Sequence, residues 1–250
     1  MIETARGRAL LGASAALWAG VEGVRVHDAG WSAISGVSSV DYNVVFCSGG
    51  RSDVDAGVEL IAAAGVPAVL MVAGTALGEV QTLVQRSWVC IGSSPMMALD
   101  LDAVPAAPGS STARRLADDE VDSARELVAE VFEVGEELSR VAIPPGIRDR
   151  AGMAVWGAHD ATGRLVSCLA AVREQEAIAI WSMATAQQAR GQGHGRRLLE
   201  ATLAAAATDG ATSSILYSSA AGEPFYRATG YRELERWQMW SRPRWVLGRA

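Results

Sequence analysis

The sequence contains no lysine: all 22 of its basic residues are arginine. A Walker phosphate loop requires a lysine, so that class of nucleotide-binding protein is excluded. Acid outweighs base, with 28 Asp and Glu residues and a net charge of −6, and the excess lies mainly ahead of Thr112. Such a balance lacks the basic patch that displaces counterions, so no nucleic-acid partner is expected. It says nothing against a small cationic substrate, which an acidic protein attracts weakly. Cysteine is scarce: Cys47, Cys90 and Cys168 stand far apart in apolar runs. Their spacing fits neither a zinc site nor a disulfide framework, so no metal is expected, and all three read as buried thiols of a reducing cytoplasm. His27 and His159 are isolated and read as structural. No apolar run reaches the roughly 18–20 residues of a membrane span, and no membrane partner is expected. Ala9 to Gly20 follows Arg6 and Arg8 as a leader would, but Glu3 interrupts the charge. The periodicity of Leu10, Leu11, Ala15 and Trp18 reads instead as a packed helix.

Half of the residues are apolar, enough for a real core, and 250 residues allow one large domain or two ordinary ones. Residues 103–112, with two prolines, a glycine and small residues, read as a linker between a domain over 1–102 and another over 113–245. Ahead of the linker, strands over 42–47 and 66–72 alternate with helical spacing at Val54, Val58 and Ile61, then a helix over 77–85 and one or two strands over 88–101. After it come a short strand near 114–116, an apolar helical stripe of Val121, Ala124, Leu127, Val128 and Val131, and strands over 153–158 and 164–172. The turn Asp160-Ala161-Thr162-Gly163 joins those two strands. Then follow a strand over 177–183, a helix through Leu198, Leu199, Thr202, Leu203 and Ala206, a strand over 213–218, a short helix over 223–229 and a last strand over 231–241. This is an α/β (α+β) architecture, a mixed central sheet with flanking helices.

One segment carries chemistry. The strand over 177–183 leads through a short turn into Arg190-Gly191-Gln192-Gly193-His194-Gly195, and then into a helix. A helix start leaves backbone N–H groups unpaired at the positive end of its dipole, and glycines let phosphate oxygens approach that backbone. Arg190 and Arg196 add charge-assisted contacts. The dinucleotide fingerprint G-x-G-x-x-G does not match, because the spacing here is G-x-G-x-G. His194 reads as a solvent-facing position beside the bound anion.

Arg190-x-x-Gly193-x-Gly195 resembles the R/Q-x-x-G-x-G/A signature of GNAT acetyltransferases. Downstream, Phe225-Tyr226-Arg227-Ala228-Thr229-Gly230-Tyr231 resembles the family's F-Y-x-x-x-G-F/Y segment. Two motifs in this order and separation are far more specific than either alone. The resemblance covers roughly 112–242 and implies an acetyl-CoA-dependent N-acetyltransferase. The donor would lie in a cleft between the strand ending at Met183 and the strand ending near Ser219. Met183, Ala184 and Thr185 would pair with the pantetheine arm, and Ser219 would line the opposite side. Backbone groups of Arg190, Gly191, Gln192, Gly193, His194, Gly195 and Arg196 would hold the diphosphate. Tyr226 would protonate the leaving thiolate. Acetyl-CoA is the one cofactor implied, with no metal, and an amine is the acceptor.

An alkyl ammonium, of pKa about 10, must lose a proton before it attacks. Many relatives place a glutamate on the strand before the loop, but Ala177 to Met183 has no carboxylate. Glu133, Glu136, Glu137, Glu223 or a water chain could replace it. The missing base keeps open a second reading, a non-catalytic acyl-CoA sensor. Trp181 either lines the acceptor pocket or fills the sheet. Trp237, Trp240 and Trp245 read as packing residues, with a subunit contact in a homodimer as the alternative. The N-terminal half, with its strand–helix pattern from Gly65 to Trp88 and Met97-Ala98-Leu99-Asp100-Leu101 before the linker, resembles the degenerate half of two-part bacterial GNAT proteins. Its turn Ser48 to Asp53 lacks the R-x-x-G-x-G spacing, so no CoA site is expected there.

Overall fold

The computed structural model describes residues 5–18, 24–27, 30–34, 40, 43–101 and 113–246. The expected linker over 103–112 lies outside the described residues. The chain divides into two compact units that do not follow chain order. One comprises residues 1–97 and 217–250, the other 98–216.

The first unit opens with helix α1 (Ala5–Trp18) and an antiparallel pair, β1 (Val24–His27) and β2 (Gly30–Ile34). Strand β3 (Asn43–Cys47) pairs antiparallel with β2 and parallel with β4 (Val69–Val72). The parallel pair needs a crossover, supplied by α2 (Arg51–Ala64). Val54, Val58 and Ile61 recur on one face of α2 and pack with Val45, Cys47, Leu70, Val72, Leu83 and Trp88. A 3-10 turn over Gly74–Glu79 leads into α3 (Val80–Gln85), then into the long strand β5 (Val89–Asp100), whose last three residues fall in the second unit. From the C-terminal end come α7 (Glu223–Ala228), β11 (Arg232–Ser241) and α8 (Pro243–Val246). Strand β11 pairs antiparallel with β4, placing Trp240 opposite Leu70. Trp237 meets Phe46 edge-on at 4.9 Å and is 1% exposed, so it packs the core. Cys90 departs from expectation: it is exposed, because Val89 to Ile91 form the uncovered start of β5.

The second unit holds β6 (Ala113–Arg115), β7 (Met153–His159), β8 (Leu165–Glu174), β9 (Ala177–Thr185) and β10 (Ser213–Tyr217, its last residue in the first unit). Strands β6 to β9 pair antiparallel in order, and β10 runs parallel to β9. The parallel step again needs a crossover helix, α6 (His194–Thr208). The stripe foreseen after the linker is α4 (Val121–Phe132). It ends where Glu133 turns left-handed, and a separate helix, α5 (Glu136–Ala142), follows. Cys168, Leu169, Ala170, Val172, Ala179 and Leu198 fill the core between sheet and helices. Among the described residues, no helix is long and apolar enough to cross a membrane.

Candidate active site

The glycine loop forms as its spacing predicts. Gly191 and Gly193 have φ of 75° and 80°, and Gly193 is the N-cap of α6 in the left-handed region, with no side chain capping the helix. An L-residue there crowds its own carbonyl, so glycine is favoured. The first intrahelical bond runs from the Arg197 N–H to the Gly193 carbonyl at 3.0 Å. Amides ahead of it in the first turn have no intrahelical acceptor and sit at the positive dipole end. Side chains of the loop brace it instead of filling it. Arg190 Nε donates to the Thr185 carbonyl at 3.2 Å, Gln192 Nε2 to the Gln188 carbonyl at 2.8 Å, and Arg197 Nη2 to the Gln192 carbonyl at 3.0 Å.

Gly195 serves a different end. A Cβ there would lie 3.0 Å from Thr185 Oγ1 and 3.4 Å from Met183 Cε. Its absence lets the first turn of α6 sit directly on the end of β9. Thr185 Oγ1 is itself 2.8 Å from Ser167 Oγ, which also donates to the Ala184 carbonyl at 2.9 Å. The unit thus brings Met183 and Thr185 against Gly195, and Thr185 against Arg190.

Strand β9 is interrupted. Its pairing with β10 ends at Ala179 opposite Ile215, so Ile180 to Thr185 run on past the end of that ladder. On the other edge, Cys168 faces Ala184 but Ala170 faces Trp181. Two steps along β8 therefore match three along β9, which is a β-bulge. It falls at Ser182 and Met183, and Ser182 has φ of 51°. The sequence reading missed this feature, because one serine in a mostly apolar run carries no sign of an added residue. Trp181 is 6% exposed and lies opposite Ala170, packed in the sheet.

Ser219 and Tyr226 belong to the first unit. The Ser219 hydroxyl accepts the Gly222 N–H at 3.2 Å and its carbonyl accepts the Glu223 N–H at 3.0 Å, so this residue shapes the entry to α7. Tyr226 is half-buried, edge-on to Phe225 and Tyr231 at 5.2 and 5.5 Å. Burial pushes its phenol above the ordinary value, so it stays protonated through the physiological range. Gly222 separates the two side chains: a Cβ there would lie 3.4 Å from both Ser219 Oγ and Tyr226 Cε2.

Of the candidate bases, Glu223 is corrected. Arg227 holds it at 2.7 Å and Arg236 at 3.1 Å, and both arginines also bind Glu233. Hydrogen bonds from Arg227 and then Arg236 hold its carboxyl below the ordinary value, which weakens it as a base. Glu136 pairs with Arg140 at 2.6 Å, and Glu133, Glu136 and Glu137 are all exposed. His159 is not isolated: its Nε2 lies 3.5 Å from Glu120.

The first unit contains a similar strand–turn–helix–strand. There the Ser48 and Gly49 N–H groups both donate to Asp53 Oδ2, each at 2.9 Å. The chain's own carboxylate occupies the amides that an anion would take, in keeping with the missing glycine spacing.

A strand that outruns its parallel neighbour, an uncapped helix start behind two left-handed glycines, and a close strand–helix junction together leave first-turn amides without an intrahelical acceptor beside a strand end. Residues 151–233 match the family described as Acetyltransferase (GNAT) domain. No curated protein matches the sequence. Among solved structures, a GCN5-related N-acetyltransferase from Kribbella flavida is 20% identical with a TM-score of 0.64, covering 94% of this chain and 95% of that one. A GCN5-related N-acetyltransferase from Sphaerobacter thermophilus is 19% identical with a TM-score of 0.61, covering 76% and 66%. A tandem GNAT protein from the clavulanic acid biosynthesis pathway is 17% identical with a TM-score of 0.54, covering 76% and 68%. At these identities the structures establish a shared fold.

Proposed function

We propose that this acetyltransferase moves an acetyl group from acetyl-CoA to an amine by direct attack in a ternary complex. The observation that carries the proposal is the uncapped start of α6 behind Gly193. The first-turn amides, from His194 on, would hold the diphosphate, assisted by Arg190 and Arg196. The backbone of Met183, Ala184 and Thr185 would pair with the pantetheine arm, and an N–H near Met183 would stabilise the oxyanion. The neutral amine attacks the thioester carbonyl, the C–N bond forms, and the C–S bond breaks from the tetrahedral intermediate. The nitrogen loses a proton and the sulfur gains one. Tyr226, protonated at neutral pH, would supply the sulfur's proton, with Ser219 beside the same helix entry. With Glu223 held between arginines, the amine proton would leave through water.

The first unit is proposed as a degenerate GNAT-like partner. Support comes from its repeated parallel crossover, its Asp53-filled turn, and the fold shared with a protein described as tandem. A sensor that binds acyl-CoA without turnover is the second reading, favoured by the absence of any carboxylate from β9. Thiol release from acetyl-CoA across a panel of amines and peptides, with mass detection of products, separates the two. Heat of CoA binding with no release for any amine selects the sensor, and no heat of binding defeats both.

A further inference from the structure

Among the described residues, four that are not glycine have positive φ: Ser87, Glu133, Gln175 and Ser182. The first three lie at turns, just after α3, at the end of α4 and between β8 and β9. Ser182 alone lies inside a strand. A left-handed serine costs about 1–2 kcal/mol, so the surroundings must hold it there. Its side chain is tied down: Ser182 Oγ donates to the carbonyl of Ala142 at 2.7 Å. Ala142 is the last residue of α5, and its carbonyl belongs to the last turn, which has no acceptor role left within the helix. The bond therefore satisfies a helix end and pins a strained strand residue together.

The bulge sets which way the end of β9 faces. Side chains alternate along a strand, so one added residue inverts every position beyond it. Trp181 and Ala184, three apart, face Ala170 and Cys168, which are two apart and share a face. Thr185 is thereby turned to the side of Ser167, where it meets Gly195 at the start of α6. Without the added residue, Thr185 would face the opposite side.

We propose that Ser182 is a positioning residue for acyl transfer: its hydroxyl ties the β9 bulge to the end of α5 and so fixes the Met183–Thr185 backbone against α6. This rests on the acetyltransferase reading above. Ser182 touches neither donor nor acceptor in this account. It acts through the backbone that follows it, where a displacement of about 1 Å is enough to slow a reaction strongly.

The test compares the full-length protein with Ser182→Ala, which removes the hydroxyl, and Ser182→Gly, which removes the hydroxyl and the strain together. Turnover, CoA affinity by calorimetry, and hydrogen exchange over residues 181–185 are measured for each. Positioning predicts that kcat falls about tenfold in both variants, CoA affinity stays within about twofold, and exchange accelerates about tenfold or more. Turnover within twofold of wild type in both variants overturns the proposal, as does full recovery in Ser182→Gly. If the unaltered protein acetylates no amine, the acetyltransferase reading fails on its own. Exchange then decides the anchoring, and unchanged exchange in both variants refutes it.

Discussion

Replacing Gly193 by alanine tests the loop most directly. Its φ of 80° and ψ of 3° lie in the left-handed region, where an L-residue costs about 1–2 kcal/mol. The new Cβ would also land 2.7 Å from Arg197 Nη1. That guanidinium can swing away, but only by releasing the bond its Nη2 makes to the Gln192 carbonyl. The strain must then appear in one of two places. If the loop keeps its shape, the fold stores it, and Tm falls by about 2–4 °C per kcal/mol for a chain of this size. If the loop relaxes, Tm barely moves and CoA has to restore the bound shape, weakening affinity about 5- to 30-fold. Thermal unfolding without ligand and calorimetric titration with CoA read the two contributions, whose sum should stay near 1–2 kcal/mol. Gly193→Asn should lose less, because asparagine tolerates this conformation. An alanine variant with unchanged Tm and unchanged CoA affinity would refute the reasoning.

Tyr226→Phe should lower turnover by about 100-fold or more with CoA binding retained, as for loss of a general acid; equal loss of affinity would point to packing instead. Gly195→Val should force the start of α6 away from Thr185, costing about 1–3 kcal/mol of stability and weakening CoA binding; a Tm equal to wild type would contradict the close contact. Glu223→Gln should leave the pH profile of kcat unchanged in shape, since a carboxylate held low by Arg227 and Arg236 is not the base; a lost limb of the profile would reinstate it. Glu120 is bound by Arg114, by the Ala117 N–H and by the charge of His159, which hold its carboxyl at about 2 against an ordinary 4.5. Because its folded pKa is depressed, its contribution is complete above the ordinary value and is lost as pH falls toward 2. The Tm gap between wild type and Glu120→Gln should therefore narrow over that window.

The sequence made the loop legible because its cause is local: glycines at fixed spacing between an apolar strand and an amphipathic helix. Long-range causes left no such mark. Nothing in Arg232 to Ser241 announces that β11 pairs with β4, where Trp240 meets Leu70, instead of staying with its own half. Strands β1 and β2 went unread because, at four and five residues, they are too short for a periodic pattern to stand out. The bulge at Ser182 was hidden because a lone serine in a mostly apolar strand does not announce an added residue, and the residue that carries the strain is held by a helix 40 positions upstream. Glu223 was a reasonable base by type alone; only the fold puts Arg236 beside it.

The carboxylate of Asp53 has a consequence for how the protein responds to its surroundings. A group tethered four or five residues from the amides it serves outcompetes any dissolved anion, so that turn is saturated whatever the metabolic state of the cell. Among the described residues the start of α6 has no side-chain cap, and on the proposed function its rigidity would rise and fall with the supply of coenzyme A. Two similar pieces of backbone in one chain would thus differ in kind, one a permanent joint and the other a gauge.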